Sequence, residues 1–378
     1  IHWLNRNFFD DEGATQLEPI EVKELLPKYI LGYSSGENEI LSLPFFKMRF
    51  IHFDEYKDCL TNSLGYSRPE GRLTFLDSEF SQAITLCNIL LQEKETLKPF
   101  LSEIGIEDIK EFRIAIRKYI VIDDKKNTEF PEALIEEKED EFGTKRKVLD
   151  ITQNLKAMIE KLKCCSTLQY YDDDSETLYL DYWVNDATRE AFKLHFGTAI
   201  ELFQAFQILL TLNLYSVSEK QKKELYQSPS LYVNETVPVL SLDERVMHIK
   251  DFVLKKRGVK GIVEGKSLSD GEHQLMHSLG LCLIFKDDNC LILLDEPETH
   301  YNPDWRALFI SRLRECFQIG KAKTTMREML ITTHTPFLIS DSKQEYVLLF
   351  KKDKESNNIS VSRPNFQTLG ASINKITM

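Results

Sequence analysis

The sequence predicts an α/β fold with a parallel sheet in residues 236–378. Two short apolar runs in this region, Leu291–Leu294 and Met329–Ile331, have the composition of buried parallel strands. A helical pattern from Gln274 to Phe285 precedes the first run. Strands that alternate with helices in this way form βαβ units, in which the strands are parallel.

The other residues divide into two regions. In residues 1–80, Tyr29–Tyr33 predicts a strand that ends in a turn, and Phe45–Phe53 predicts a second strand. A helical pattern dominates residues 81–235 and predicts a mostly helical insertion, which the polar stretch Lys220–Asn234 closes. Two other elements are expected inside the insertion, a strand and an exposed charged hairpin or linker, at Leu178–Val184 and Asp123–Lys147.

The charge balance limits how the protein could bind nucleic acid. The 378 residues contain 48 Lys and Arg against 60 Asp and Glu, a net charge of −12. Binding through the whole surface is therefore disfavoured, and a local basic patch would be needed. Lys250–Lys266 is such a patch, formed by Lys250, Lys255, Lys256, Arg257, Lys260 and Lys266. The alternative is that these lysines protect a solvated strand edge, and the sequence leaves both interpretations open.

The cysteine pattern indicates a reducing compartment. Seven cysteines are an odd number, and none of them forms a CxxC pair. No disulfide framework or zinc ribbon is readable in this pattern. Reduced cysteines are typical of the cytoplasm, which is therefore the expected location. The first residues, Ile1–Asn5, show no signal-peptide pattern.

Two carboxylates follow the first apolar run. Asp295 and Glu296 come directly after Leu291–Leu294, at the end of a parallel strand where α/β proteins bind ligands. One carboxylate there could hold Mg²⁺ through water against a nucleotide phosphate. The second could orient or deprotonate an attacking water. The alternative interpretation is a strand that ends in a solvated acidic turn.

Two weaker signals flank these carboxylates. Ser269 precedes the helical run, where a hydroxyl and the helix dipole favour an anion. The alternative for Ser269 is a plain N-cap with Glu272 in a capping box. His334 ends the second apolar run and could hydrogen-bond a terminal phosphate, although a single histidine there is often structural. Their order, with the two carboxylates between them, favours a nucleotide site.

These segments resemble the motifs of ABC ATPases. Leu268–Glu272 resembles the signature motif, Leu291–Glu296 the Walker B motif with its catalytic glutamate, Glu298–Pro303 the D-loop, and His334 the switch histidine. Asp270 replaces the usual glycine, and the step of 26 residues from Ser269 to Asp295 is longer than in transporters. The motif variants in these segments are typical of the SMC-like and OLD-like branch of these ATPases, and the two departures set the chain apart from transporters.

The resemblance implies an ABC-type P-loop ATPase head that binds ATP and Mg²⁺. Residues 1–80 and 236–378 would be its two lobes, and residues 81–235 its insertion. Asp295 would serve Mg²⁺ through water, Glu296 the attacking water and His334 the γ-phosphate. The head would work as a homodimer or higher oligomer, in which the signature and D-loop residues contact the ATP of the other head; these residues are Ser269, Gly271, Glu272 and Asn302.

A more specific resemblance is to the Septu PtuA-type ATPases of bacterial anti-phage systems. It rests on Gly32–Glu39, Ser269–Glu272, Asp295–His300 and Leu369–Asn374. It implies an ATPase that senses infection and regulates an HNH nuclease subunit, in some systems within a retron that includes a reverse transcriptase and its DNA–RNA product. The alternatives are an ATP-gated scaffold with little turnover and an SMC-like DNA-repair ATPase. The latter would require a long coiled coil, which the insertion does not show.

One expected motif is missing from these residues. A Walker A loop has the form Gly-x4-Gly-Lys-Ser/Thr, and the nearest segment, Gly261–Ser267, has three intervening residues where four are needed. We therefore expect the Walker A motif upstream of Ile1, so that the chain is N-terminally incomplete. The alternative is a degenerate ATPase that binds no nucleotide.

Overall fold

The computed structural model describes residues 26–34, 39–66, 73–75, 80–122, 130–139, 143–227, 240–318, 326–353 and 356–376. The strands are β1 (Tyr29–Ser34), β2 (Leu73–Phe75), β3 (Ile106–Arg117), β4 (Tyr119–Val121), β5 (Ile135–Glu139), β6 (Lys145–Asp150), β7 (Leu168–Asp172), β8 (Thr177–Trp183), β9 (Met247–Lys256), β10 (Val263–Glu264), β11 (Cys290–Asp295), β12 (Arg327–Thr332), β13 (Leu349–Lys352) and β14 (Ile359–Ser362). The helices are α1 (Glu39–Thr61), α2 (Ser81–Leu91), α3 (Lys94–Leu101), α4 (Lys156–Cys165), α5 (Asp186–Phe196), α6 (Ala199–Thr211), α7 (Glu219–Gln227), α8 (Asp270–Ile284), α9 (Pro303–Gln318), α10 (Pro336–Ser340) and α11 (Ile373–Ile376).

A parallel sheet has the strand order β12-β11-β1-β2. It pairs β1 from residues 1–80 with β11 from residues 236–378. In β11, Cys290, Ile292 and Leu294 are buried, and the side chains between them are partly buried. The helix that precedes it, α8, packs on α2, where the buried Asn88 amide donates to the Gly280 carbonyl at 2.9 Å. The predicted α/β fold with a parallel sheet is therefore confirmed.

A second sheet, of order β10-β9-β3-β8-β7, is antiparallel. Its central strand β3 and the strands β7 and β8 belong to residues 81–235, as does a smaller sheet of order β4-β6-β5. This region is therefore mixed, and the prediction of a mostly helical insertion is wrong. The reason is that β3 is paired on one side with β9, which lies far along the chain in residues 236–378.

The outcome for the smaller predicted elements varies. The strands expected at Tyr29–Tyr33 and Leu178–Val184 are confirmed as β1 and β8, and β5 and β6 form the charged hairpin. Phe45–Phe53 is not a strand but part of α1, because Phe50, Phe53 and Leu60 are buried at a helical spacing. Parts of several predicted segments lie outside the described residues, namely 1–25, 35–38, 123–129, 140–142 and 228–239.

The described helices include none that is long and apolar enough to cross a membrane. The most apolar of them, α6, contributes to the core, where Leu202, Phe203 and Phe206 are fully buried. Thr198 caps its first turn by accepting from the Glu201 backbone N–H at 3.3 Å.

Candidate functional site

Asp295 lies at the carboxyl end of the parallel sheet, between two hydroxyl groups. In the register of the sheet it is opposite Ser34 of β1 and Thr332 of β12. The Ser34 hydroxyl donates to Asp295 Oδ2 at 3.2 Å, and the Thr332 hydroxyl donates to Oδ1. The three oxygen-bearing side chains meet because parallel strands end at the same edge. Ser34 and Thr332 are not among the predicted site residues, although both follow apolar runs as Asp295 does.

Glu296 has an unusual backbone conformation. Its φ of 45° is in the left-handed region, which a non-glycine residue adopts at a cost in free energy. Its backbone N–H donates to the Thr332 carbonyl at 3.0 Å, which holds this turn against β12. The result is that its carboxylate Oε1 lies 3.1 Å from Nε2 of His334, a side chain that is 92% exposed. The two predicted catalytic residues are therefore together at the open edge of the site.

Glu298 connects the loop after β11 to the loop after β12. Its side chain is buried, and Oε1 accepts from the Thr333 hydroxyl. The hydroxyl oxygen of Thr333 in turn accepts from the Thr335 backbone N–H at 3.0 Å. The second carboxylate oxygen of Glu298 has no hydrogen-bond partner among the residues that the structure describes. Burial raises the pKa of this carboxyl, although the Thr333 hydrogen bond opposes the shift. Glu298 therefore positions the segment that contains His334.

Ser269 and Glu272 form a capping box at the start of α8. The Glu272 backbone N–H donates to Ser269 Oγ at 3.3 Å, and the Ser269 backbone N–H donates to Glu272 Oε2 at 2.8 Å. Lys256 forms an ion pair with the other Glu272 oxygen. Burial opposes ionisation of Glu272, but the bonds from Lys256 and Ser269 lower its pKa. Within a single chain Ser269 therefore serves as the N-cap of α8. Its side chain is exposed at the start of this helix.

The start of α8 packs tightly against the loop after β11. A Cβ atom on Gly271 would lie 2.5 Å from the His300 carbonyl oxygen. The His300 backbone N–H donates to the buried Gln274 side chain at 3.1 Å. Further along this loop, Asn302 caps α9 by accepting from the Trp305 backbone N–H at 2.8 Å. The predicted signature and D-loop segments are therefore in direct contact within one chain.

The basic patch Lys250–Lys266 is partly neutralised. Lys256 pairs with Glu272, and Lys266 lies 2.6 Å from Glu264. The Lys250 ammonium lies 5.8 Å from the centre of the Tyr179 ring. The alternative, that these lysines protect an exposed strand edge, does not hold for the part of β9 that pairs with β10. In that part β9 is an internal strand, with β10 on one side and β3 on the other.

Part of the chain matches a known protein family. Residues 172–340 match the family described as "AAA domain, putative AbiEii toxin, Type IV TA system". This stretch contains the helix start at Ser269, the carboxylates Asp295 and Glu296, and His334. No curated protein matches the chain. The match supports a P-loop, nucleotide-binding ATPase, with the general use of ATP and Mg²⁺ that such domains have.

Proposed function

We propose that the chain is an ABC-type ATPase subunit that hydrolyses ATP with Mg²⁺. The observation on which this rests is that Asp295, Glu296 and His334 meet at the carboxyl ends of neighbouring parallel strands. The match of residues 172–340 to a P-loop ATPase family supports the coarser assignment, a nucleotide-binding ATPase. The signature-like and D-loop-like segments support the ABC type, because they pack on each other through Gly271 and His300.

The residues present fit a Mg²⁺ ion that is completed by nucleotide phosphates. Asp295 offers carboxylate oxygens beside two hydroxyl oxygens, and Mg²⁺ in nucleotide sites is typically held by one or two carboxylates with phosphates and water. The described residues include no group of three or more His, Cys, Asp or Glu side chains that could hold a metal. Bound Mg²⁺ would neutralise negative charge on the phosphates.

Glu296 and His334 would act on the attacking water and the terminal phosphate. A carboxylate beside the reacting phosphate can orient the water and accept its proton. The contact of 3.1 Å to His334 Nε2 keeps the Glu296 carboxylate at the open edge of the sheet. The imidazole, which is exposed, can donate a hydrogen bond to a phosphate oxygen that approaches this edge.

We infer that a Walker A strand and helix complete the sheet beside β12. In the part of the chain that the structure describes, β12 pairs with β11 on one side only. Leu330 of β12 is 58% exposed, whereas parallel sheets normally have both faces covered by helices. A βα unit with the sequence Gly-x4-Gly-Lys-Ser/Thr at this edge would supply a phosphate-binding loop and cover this face.

The proposed biological role follows the resemblance to PtuA-type ATPases. Two heads would form a homodimer in which Ser269, Gly271, Glu272 and Asn302 contact the ATP of the other head. The dimer would regulate an HNH nuclease in anti-phage defence, in some systems together with a reverse transcriptase. The exposed position of the α8 start supports the dimer, because a second head could reach it.

Steady-state ATP hydrolysis by the full-length protein tests this function. Glu296→Gln is expected to lower the rate by about 10²–10⁴ while ATP binding is retained. Glu190→Gln, a change at an exposed residue of α5, is the matched control and should hydrolyse ATP like the wild type. If the wild type binds ATP without turnover, the ATP-gated scaffold replaces this proposal. If it does not bind ATP, the domain is degenerate.

A further inference from the structure

A cavity of about 740 Å³ lies between α4, the edge strand β7 and the small sheet β4-β6-β5. Its lining combines cationic, aromatic and apolar groups, and it lies outside the cluster around Asp295. The residues that matter for its chemistry are Lys118, Lys138, Lys156, Lys163, Tyr119 and Tyr171. We call it the lysine–tyrosine cavity. Its volume is in the range of small-molecule sites.

Four lysines line the cavity in a chain whose net charge is −12. Lys156 and Lys163 lie two turns apart on one face of α4, with Glu160 between them. On the opposite wall, the ammonium groups of Lys118 and Lys138 lie 4.8 Å and 3.3 Å from the centre of the same Tyr119 ring. Two cation–π contacts to one ring place both ammonium groups on this wall.

Both lysines of this wall are held in the charged state. A hydrogen bond with Tyr119 and the nearby Asp150 carboxylate, at 3.6 Å, raise the pKa of Lys118. Burial lowers the pKa of Lys138, but the ion pair with Glu176 outweighs it and the net shift is upward. Three of the four lysines pair with a carboxylate, Lys118 with Asp150, Lys138 with Glu176 and Lys163 with Glu160, so a bound phosphate would compete with these carboxylates for the ammonium groups.

The floor and the rim of the cavity suit a flat aromatic group. Ile116, Ile159 and Leu178 form an apolar floor. At the rim, Tyr170 of β7 stacks on Tyr179 of β8 with a centroid distance of 6.3 Å. The Arg113 guanidinium and the Lys250 ammonium lie over this second ring at 5.6 Å and 5.8 Å. The rings of Tyr170 and Tyr179 therefore continue from the cavity across β7, the last strand of this sheet.

We propose that the lysine–tyrosine cavity binds a nucleotide unit, with its base on Tyr171 and the apolar floor and its phosphate among the lysines. Aromatic side chains combined with lysines are the features by which proteins hold single-stranded nucleic acid without reading its sequence. The unit could come from a nucleic-acid strand, which would continue over Tyr170 and Tyr179, or from a free mononucleotide. This inference is independent of the proposed ATP hydrolysis.

Fluorescence anisotropy with a labelled oligothymidylate of about 20 nucleotides, and calorimetry with thymidine monophosphate, test the site on the full chain. Tyr171→Ala is expected to weaken oligonucleotide binding about 5- to 150-fold, whereas Tyr171→Phe, which keeps the ring, should bind like the wild type. Lys156→Ala should weaken binding and lower its salt dependence by about one phosphate contact. Lys161→Ala, which removes a lysine of the same helix outside the cavity, is the matched control.

Each outcome decides one part of the proposal. Binding of the oligonucleotide alone identifies a strand as the source of the unit, and binding of both ligands with equal sensitivity to Tyr171→Ala identifies a free nucleotide. The proposal is overturned if neither ligand binds, or if Lys161→Ala weakens binding as much as Lys156→Ala. It is also overturned if binding is lost with Lys255→Ala and kept with both cavity variants, since the basic patch Lys250–Lys266 would then be the site.

Discussion

Replacing Gly271 by alanine tests the contact between α8 and the loop after β11. In the first turn of a helix, alanine is normally the better residue, by about 0.5–1 kcal/mol. Here the new Cβ would lie 2.5 Å from the His300 carbonyl oxygen, which is a backbone atom, and 3.3 Å from its carbonyl carbon. A backbone atom cannot move aside as the end of a side chain can, so the two segments must separate.

The steric cost is expected to exceed the gain in helix propensity. Overpacking of a close contact costs about 1–3 kcal/mol. We therefore expect Gly271→Ala to lower the free energy of unfolding by about 1–2 kcal/mol in net terms. Separation of the two segments would also stretch the hydrogen bond from the His300 backbone N–H to Gln274. In the full-length protein, ATP hydrolysis should decrease as a result.

Urea unfolding monitored by tryptophan fluorescence gives the magnitude. Gly261→Ala is the matched control, because a Cβ atom at Gly261 would meet nothing within 4 Å. That control should leave stability unchanged or raise it by about 0.4–1 kcal/mol. If Gly271→Ala is as stable as the control variant, the close contact between Gly271 and His300 does not exist and the packing argument is wrong.

Three other substitutions test neighbouring parts of the structure by urea unfolding. Thr333→Val leaves both oxygens of the buried Glu298 carboxyl without a partner and should cost about 1–3 kcal/mol, whereas Thr333→Ser should cost little; equal costs would refute the role of the hydroxyl. Burial lowers the pKa of His277 from 6.5 to about 3. Between these two pH values the imidazole therefore binds a proton in the unfolded state but not in the folded state. The free energy of unfolding should therefore decrease as the pH falls below 6.5, by up to about 1.4 kcal/mol per pH unit. His277→Phe should reduce the slope of this free energy against pH by the equivalent of one bound proton, and an unchanged slope would contradict the prediction. Lys256→Met removes the partner of Glu272 and should cost about 1 kcal/mol at neutral pH, with the difference disappearing at a pH where Glu272 is protonated.

The fold could be predicted where the pattern is local. The strands β1, β11 and β12 are short apolar runs that end in polar residues, and both features are visible within a few positions. Helix α1 was mistaken for a strand because Phe45–Phe53 is rich in residues that favour strands, and its helical period becomes clear only when Leu60 is included. The central strand β3 was missed because its pairing with β9 is a long-range interaction.

The same distinction applies to the candidate site. Asp295, Glu296, Ser269 and His334 were predicted as site residues from residue type and order, which are properties of the sequence. The capping box of Ser269 with Glu272 is local and was also predicted, but the contacts of Asp295 were not, because they join segments that are distant in the chain: Ser34 and Asp295, for example, are 261 residues apart. Substitutions can therefore distinguish the chemical role of a residue from its role in packing. Glu296→Gln removes a group proposed to act on water and should leave stability nearly unchanged, whereas Gly271→Ala changes the packing around the site and should affect stability and hydrolysis together.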